Sequence, residues 1–169
     1  MKQVDYLDAM REATARMQDG GVFLSIGGER PNVLTIGWGA VGYYWRRPVF
    51  TAVLRPQRHS YPLLMKEGKF TVSVPTTDPL RAQLAFCGTK SGADMDKFAG
   101  AGLAAGKAVS FDAPIVAQCG LHFECVVKLV QEMTPDRMNE EVYNSCYPAG
   151  DMHTMFFGEI VNCYRTDEI

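Results

Sequence analysis

Apolar and polar residues alternate along several short segments of this chain, which is the pattern of strands with one buried face. The clearest case is Gly120–Val130, where apolar residues alternate with polar ones over most of its length. The same pattern predicts strands at Val22–Ile26, Asn32–Val41, Pro48–Leu54, Lys69–Val74 and His153–Tyr164. A Gly- and Pro-containing turn separates the first two of these, so they are expected to form a hairpin.

Helical spacing occurs near the beginning of the chain. Residues 4–17 predict an N-terminal helix, within about 3–18, because Leu7, Met10, Thr14 and Met17 fall at helical spacing. Gly20 is expected to end it. Shorter helices are predicted at Tyr61–Glu67 and from Asp78, as the N-cap, to Gly88.

Many strands, few short helices and no regular βαβ alternation favour a mainly β fold, an antiparallel Greek-key-like barrel with short helices, over a doubly wound sheet. No repeat or linker divides the chain, so residues 1–169 predict one domain. A Gly-x-Gly-x-x-Gly turn after a strand and a Walker A lysine are both absent from the sequence. A nucleotide would therefore be bound by another architecture.

Composition restricts the partners. The net charge of −2 and the lack of a long apolar run argue against nucleic acid and membrane as partners, and the N-terminus does not resemble a signal peptide. The five cysteines are an odd number without a Cys-x-x-Cys pair, which favours free thiols in a reducing cytoplasm. The histidines do not stand at ligand spacing beside them, so no metal site is expected.

The segment Arg55-Pro-Gln-Arg-His-Ser-Tyr61 concentrates cations and hydroxyls between a strand and a helix. Arginine matches phosphate oxygens two at a time, and Ser60 is a candidate N-cap whose helix start would add backbone N–H groups. A phosphate-bearing ligand is the functional interpretation. A solvated basic turn is the alternative.

The strand at Asn32–Val41 contains Gly37 and Gly39 on either side of Trp38. Glycine inside a strand indicates close approach of a ligand or of another backbone. A planar ligand against this backbone is therefore one interpretation, and a β-bulge with the tryptophan packed in the core is the other.

A third candidate segment is Phe86-Cys-Gly-Thr-Lys-Ser-Gly92, at the start of an irregular stretch over residues 88–107. Loops of this length usually have a function, and its hydroxyls and ammonium suit an anion or a polar ring edge. A surface loop with a helix C-cap at Gly88 is the alternative.

Taken in order, these segments resemble the flavin reductase-like family with the FMN-binding split barrel, close to its flavoredoxin branch. The resemblance covers residues 22 to about 162. It is carried by Asn32-x-x-Thr35-x-x-Trp38, Arg46-Arg-Pro48, Arg58-His-Ser-Tyr61, Phe86-Cys-Gly-Thr-Lys-Ser-Gly92, Asp96-Lys-Phe98 and His153-Thr-Met-Phe-Phe-Gly-Glu-Ile160.

The resemblance implies FMN as the cofactor and a homodimer as the assembly. It places one strand along the flavin, through Asn32, Thr35 and Trp38 with the backbone of Gly39 and Ala40 near the polar edge of the ring. It assigns the phosphate and ribityl chain to Arg55, Arg58, His59 and Ser60. It brings a loop to the flavin from the other side, through Cys87, Thr89, Lys90 and Ser91. It sets His153 near the nicotinamide and the dimer interface.

The chain departs from the family pattern at Gly39 and Ala40, where many members have a serine or threonine. The aromatic run Tyr43, Tyr44 and Trp45 is also unusual, and its placement in the core, at a dimer interface or over the flavin stays open.

The implied activity is hydride transfer from NADH or NADPH to FMN. Lys90 is the candidate for stabilising the reduced ring, and His153 is either catalytic or structural. Cys87 is either a redox thiol or, as we favour, inert packing. The alternatives to a reductase are an electron carrier that holds FMN tightly and serves a redox protein partner, and a non-catalytic FMN-binding protein.

Overall fold

A computed structural model describes residues 1–167 of the chain. Within that range, eight strands form one sheet, two form a small second sheet, and all paired neighbours are antiparallel. The strands are Lys2–Gln3 (β1), Val22–Ile26 (β2), Asn32–Ile36 (β3), Gly39–Tyr44 (β4), Arg47–Leu54 (β5), Lys69–Val74 (β6), Ala105–Lys107 (β7), Pro114–Val116 (β8), Leu121–Glu132 (β9) and Thr154–Arg165 (β10). The helices are Tyr6–Gln18 (α1), Ser60–Glu67 (α2), Arg81–Thr89 (α3), Lys97–Gly100 (α4) and Glu140–Cys146 (α5), with a 3-10 turn at Pro135–Arg137.

The main sheet has the order β3-β2-β6-β9-β10-β5-β4, with β1 added to β10. Its two edges, β3 and β4, are consecutive in the chain and are joined only by Gly37 and Trp38. The sheet therefore curls until its edges approach each other without hydrogen bonding, which is a barrel with one open seam. The predicted mainly antiparallel split barrel with short helices is confirmed.

The core lies inside this curled sheet. Phe50, Phe70, Phe123 and Phe156 are fully buried there, and α1 covers one end with Ala9, Ala13 and Met17. A second cluster fills the space between the outer face of β2 and β3 and the helices α3 and α4, through Phe23, Val33, Leu84, Cys87 and Phe98. Strand β2 is consequently buried on both faces, and α3 and α4 are held against the outside of β3 beside the seam.

Most predicted strands and the N-terminal helix are confirmed within a few residues at each end, and so is the β2–β3 hairpin. The single strand predicted at Asn32–Val41 is wrong. Its first half, β3, pairs with β2, whereas after Gly37 the chain crosses the seam and continues as β4, which pairs with β5. The residues expected to be irregular, 88–107, contain α4 and β7.

Three predicted helix ends are also wrong. Helix α3 begins at Arg81, because Asp78 accepts a hydrogen bond from the Leu80 N–H in a turn that precedes the helix. It then continues through Gly88 to Thr89. Ser60 is the first residue of α2 rather than its cap, and His59 at the cap position makes no side-chain capping bond.

Candidate functional site

Two adjoining clefts open beside the seam and share Leu34, Thr35 and Arg58 in their walls. The first, the cationic cleft, has a volume of about 130 Å³. Its lining is Leu34, Thr35, Gln57, Arg58, His59, Ser60, Cys87, Gly88, Thr89, Lys90, Ser91, Gly92 and Lys97. The second, the aromatic cleft, has a volume of about 250 Å³. Its lining is Leu34, Thr35, Ile36, Gly37, Trp38, Val53, Leu54, Arg55, Arg58 and His153.

Lys97 is a buried lysine in the wall of the cationic cleft, with 4% of its surface exposed. Local sequence explains its placement, because Asp96 caps α4 by accepting from the Phe98 and Ala99 N–H groups while the Phe98 ring is buried. Nζ of Lys97 donates a 3.0 Å hydrogen bond to the Cys87 carbonyl oxygen. Burial lowers the pKa of Lys97, and the nearby Arg58 charge adds to that effect.

Arg58 reaches the same cleft from the turn between β5 and α2. That turn is closed by backbone hydrogen bonds from the Arg58 N–H to Arg55 O and from the Tyr61 N–H to Arg58 O. Among residues 1–167, no carboxylate forms an ion pair with the Arg58 guanidinium or with the Lys97 ammonium. Two cations therefore face one cavity without a protein counter-charge.

Asn32 supports the cationic cleft from behind rather than lining it. Its buried amide donates a 2.8 Å hydrogen bond to Ser60 Oγ, which ties the start of β3 to the start of α2. Gly92 lies so close to Asn32 Oδ1 that a Cβ there would overlap it. The absence of a side chain at Gly92 is what lets the loop after α3 approach this pair.

The hydroxyls and the thiol predicted to contact a ligand are partly engaged already. Thr35 Oγ1 donates to Leu84 O at 2.6 Å, and Thr89 Oγ1 donates to Ala85 O at 2.8 Å. Ser91 Oγ accepts from the Ala93 N–H. Cys87 is 1% exposed, and burial raises the pKa of its thiol despite the opposing Lys97 charge. A protonated, buried thiol agrees with packing rather than redox chemistry.

An aromatic cluster forms one wall of the aromatic cleft. The Trp38 and His153 rings are 5.1 Å apart between centroids, and Tyr147 OH lies 2.9 Å from Nδ1 of His153. Arg55 pairs with Asp151 and lies over the Tyr147 ring, 5.6 Å from its centroid. Burial lowers the pKa of His153 to about 4, and the Arg55 and Arg58 charges act in the same direction. The imidazole is therefore neutral at pH 7.

Gly39 and Ala40 lie in β4 and outside the lining of both clefts. A Cβ at Gly39 would come within 2.7 Å of Thr51 O and 3.2 Å of Met17 Sδ, so strand and helix packing accounts for this glycine. The backbone contact of Gly39 and Ala40 with a flavin stays a prediction. The ligand contacts predicted for the residues that line the clefts also stay predictions.

The aromatic run after β4 is not part of the core. Tyr43 is 62% exposed and Trp45 is 52% exposed, and neither lines either cleft. Tyr44 packs edge-on against Phe157 of β10, with 5.4 Å between ring centroids. Of the three placements considered from the sequence, the core is excluded.

The sequence model of the Flavin reductase like domain matches residues 18–169. The chain belongs to this family.

Solved structures similar to this flavin reductase-like chain share its fold. A flavoredoxin of Desulfovibrio vulgaris is 23% identical, with a TM-score of 0.68 over 87% of this chain and 69% of that one. An FMN-binding protein of Thermus thermophilus with bound 1-cyclohex-2-enone is 20% identical, with a TM-score of 0.66 over 85% and 68%. An NADH:FAD oxidoreductase of Streptomyces globisporus is 20% identical, with a TM-score of 0.67 over 98% and 88%.

Sequence reasoning missed three residues of this flavin reductase-like site, namely Lys97, Tyr147 and Asp151. The Asp96-Lys97-Phe98 pattern contained a usable signal, since a helix cap followed by a buried aromatic residue orients the lysine between them. For Tyr147 and Asp151 the sequence offered no such signal, because the hydrophobic residues in 133–153 show no clear helical or strand periodicity.

Within residues 1–167, no helix is long and apolar enough to cross a membrane. In the same range, no group of three or more His, Cys, Asp or Glu side chains is arranged to hold a metal ion.

Proposed function

We propose that this flavin reductase-like protein binds FMN across the two clefts and reduces it with NADH or NADPH. The observation that carries the proposal is the pair of uncompensated cations, Lys97 and Arg58, on the cationic cleft. A buried ammonium is costly unless an anion neutralises it, and a phosphate monoester supplies up to two negative charges. The cleft therefore fits the phosphate end of FMN.

The remaining residues of the cationic cleft fit the same group. His59, Ser60, Thr89 and Ser91 add hydroxyl and imidazole groups around the two cations. Arg55 is engaged by Asp151 and Tyr147 and lines only the aromatic cleft, so we assign the phosphate to Arg58 and Lys97 before Arg55.

The aromatic cleft fits a planar ring system. Trp38 and His153 line it together with Val53 and Leu54 of β5. Leu34, Thr35 and Ile36 of β3 line it from across the seam. Bound FMN supplies the two-electron acceptor that the side chains of this chain lack. The protein orients the ring and excludes water with apolar walls, while exposed Lys90, at the end of α3, is the residue we propose to place positive charge beside the reduced ring. The neutral His153 faces the nicotinamide in this proposal.

An electron carrier is the second candidate function. It is favoured by the structural likeness to a flavoredoxin, whereas the likeness to an NADH:FAD oxidoreductase favours a reductase. A carrier would hold FMN tightly and transfer electrons to a redox protein partner. We also propose that the protein works in a reducing cytoplasm, since Cys87, Cys119, Cys125, Cys146 and Cys163 are all unpaired.

We propose further that the protein is a homodimer, joined through the exposed hairpin that carries Tyr43, Tyr44 and Trp45. Large exposed aromatic residues at a hairpin tip are typical of interface anchors. Tyr44 and Trp45 pack edge-on against Phe157, which fixes the position of these two rings at the surface.

The test is the anaerobic absorption spectrum of the purified protein with stoichiometric FMN, before and after NADH or NADPH is added. We expect a perturbed flavin band that bleaches on addition of the nucleotide. A perturbed band that neither nucleotide bleaches would select the carrier or a non-catalytic FMN-binding protein. No perturbation would refute FMN binding.

A further inference from the structure

Tyr147 is a buried residue to which sequence reasoning assigned no role. It follows α5 in the segment 133–153, which connects β9 to β10, and only 2% of its surface is exposed. Its ring meets the Trp38 ring edge-on, with 6.3 Å between centroids, and the Arg55 guanidinium lies over its face. Its hydroxyl lies 2.9 Å from Nδ1 of His153. Tyr147 therefore contacts several residues that line the aromatic cleft.

The direction of the hydrogen bond follows from the acceptors available to the phenol. The other neighbour of Tyr147 OH is Met133 Sδ at 3.5 Å, and a thioether is a weak acceptor. An unprotonated imidazole nitrogen is a much better one, so the phenol donates to Nδ1. The proton of the neutral His153 ring is then on Nε2. Within the described part of the chain, no hydrogen-bond partner is found for that Nε2–H.

Burial keeps the His153 ring neutral, and the charges around it add to that effect. Arg55 and Arg58 both disfavour a second proton, and Asp151 pairs with Arg55 rather than with the imidazole. Together these effects lower the pKa of His153 to about 4. The imidazole is thus a hydrogen-bond donor without charge at its cleft side.

We infer that Tyr147 is a positioning residue that holds His153 as the neutral Nε2–H tautomer, so that the ring offers a hydrogen-bond donor to a carbonyl oxygen of a planar ligand in the aromatic cleft. The identity of that ligand rests on the proposed function, which provides such oxygens on the C2 and C4 carbonyls of the flavin and on the nicotinamide carboxamide. The tautomer itself does not rest on it.

The first test is ¹⁵N NMR of histidine-labelled protein without FMN. The chain has three histidines, so the His153 signals are assigned with a His153→Asn variant. At neutral pH we expect wild-type His153 to show the Nε2–H tautomer, and Tyr147→Phe to show a mixture of the two neutral tautomers. Tyr143→Phe, in α5 of the same segment, should match the wild type. An unchanged His153 tautomer in Tyr147→Phe would overturn the inference.

The second test uses kinetics to identify which ligand carries the carbonyl oxygen that accepts a hydrogen bond from His153. In Tyr147→Phe, loss of one positioned donor should weaken binding of its ligand about tenfold. A rise in the KM for NADH with an unchanged FMN dissociation constant would show that the His153 Nε2–H binds the nicotinamide. A rise in the FMN dissociation constant with an unchanged KM for NADH would show that it binds the flavin. If wild-type protein reduces no flavin, the proposed function fails while the NMR result still decides the tautomer.

Discussion

Nζ of Lys97 lies 3.0 Å from the carbonyl oxygen of Cys87, so the last turn of α3 holds a buried ammonium through a neutral acceptor. A carbonyl dipole offsets only part of the cost of removing that charge from water. Arg58 faces the same cavity and makes the ammonium less favourable still. The residual positive potential is the physical basis of the proposal that the cationic cleft binds an anion.

Lys97→Met should have opposite effects on the stability of the protein and on its affinity for FMN. Methionine replaces an uncompensated buried charge with an apolar side chain of similar length, so the free energy of unfolding should rise by about 1 kcal/mol. FMN affinity should fall roughly 10- to 100-fold, because a charge-assisted phosphate contact is lost. Urea unfolding and flavin fluorescence titration measure the two quantities. Lys107→Met, on exposed β7, is the control, and unchanged FMN affinity in Lys97→Met would remove Lys97 from the site.

Arg58→Ala and Arg55→Ala should differ, although the two residues belong to one basic turn. Arg58 lacks an ion pair among the described residues, so its loss should weaken FMN binding by roughly 1.5–3 kcal/mol. Arg55 is paired with Asp151 and lines the other cleft, so its loss should weaken FMN binding by less than about 1 kcal/mol. Isothermal titration with FMN measures both, and equal losses would contradict the division between the clefts.

Gly92→Ala should damage the cationic cleft without changing any charge. The added methyl group would overlap Asn32 Oδ1 and strain the bond from Asn32 to Ser60. We expect about 1–3 kcal/mol of destabilisation and weaker FMN binding. Gly88→Ala is a matched control, because its Cβ would meet Thr35 at 3.5 Å, an ordinary contact. Thermal unfolding with and without FMN should show a large effect at position 92 and a small one at position 88.

His122 should make the stability of the protein depend on pH. Its ring is fully buried between Ser73 and Thr166, and burial lowers its pKa to about 4 from an ordinary 6.5. Between those values the unfolded chain binds more protons, so this contribution is complete near pH 7 and is lost as the pH falls toward 4, by about 3 kcal/mol.

The measurement is urea unfolding at pH 7 and at pH 4.5. His122→Asn should be less stable at pH 7 but should lose less stability on acidification than the wild type. His59→Asn, on the partly exposed wall of the cationic cleft, should retain the wild-type pH dependence. An identical acid loss in His122→Asn and the wild type would show that other groups carry it.

Trp45→Glu should dissociate the proposed homodimer. The substitution puts a charge at the hairpin tip, where the aromatic surface would be buried between subunits, and a buried unpaired charge is strongly unfavourable. Sedimentation equilibrium should show a monomer for this variant and a dimer for the wild type. Leu7→Glu, at an exposed apolar position of α1, is the control and should stay dimeric. A wild-type monomer would refute the proposal directly.

The strands were predictable wherever the two faces of the sheet have different surroundings. Strand β9 shows the limit of this signal. Its alternation predicted a strand, and Phe123 and Cys125 do enter the core, but the polar residues His122 and Glu124 between them are also fully buried.

The division of Asn32–Val41 into two strands at Gly37 and Trp38 was not predictable. Two glycines inside a strand are as compatible with a β-bulge as with a chain that crosses from one edge of the sheet to the other. Only the choice of partner strand, β2 before the crossing and β5 after it, decides between them.

The site was predictable as a set of segments but not as a set of contacts. The basic turn and the loop after α3 do meet in one cleft, as the resemblance implied. The helix cap at Asp96 was a local signal for Lys97, but the burial that separates Lys97 from exposed Lys90 depends on tertiary packing of Phe98 against α3. The Tyr147 contact with Trp38 joins residues far apart in the chain, so no local pattern predicts it.

The connection between β9 and β10 leaves the sheet and returns to it at the same pair of facing residues. Glu132 pairs with Thr154, and the Met133 N–H donates to His153 O, so the barrel is complete whatever lies between them. That connection supplies His153 to the wall of the aromatic cleft, and Tyr147 and Asp151 to the contacts behind it, while the cationic cleft is built from other elements. Under the proposed function, a different segment grafted between these two strand ends would change which second ligand is accepted and leave phosphate binding intact. The parts proposed to anchor one ligand and to select the other are thus separately replaceable.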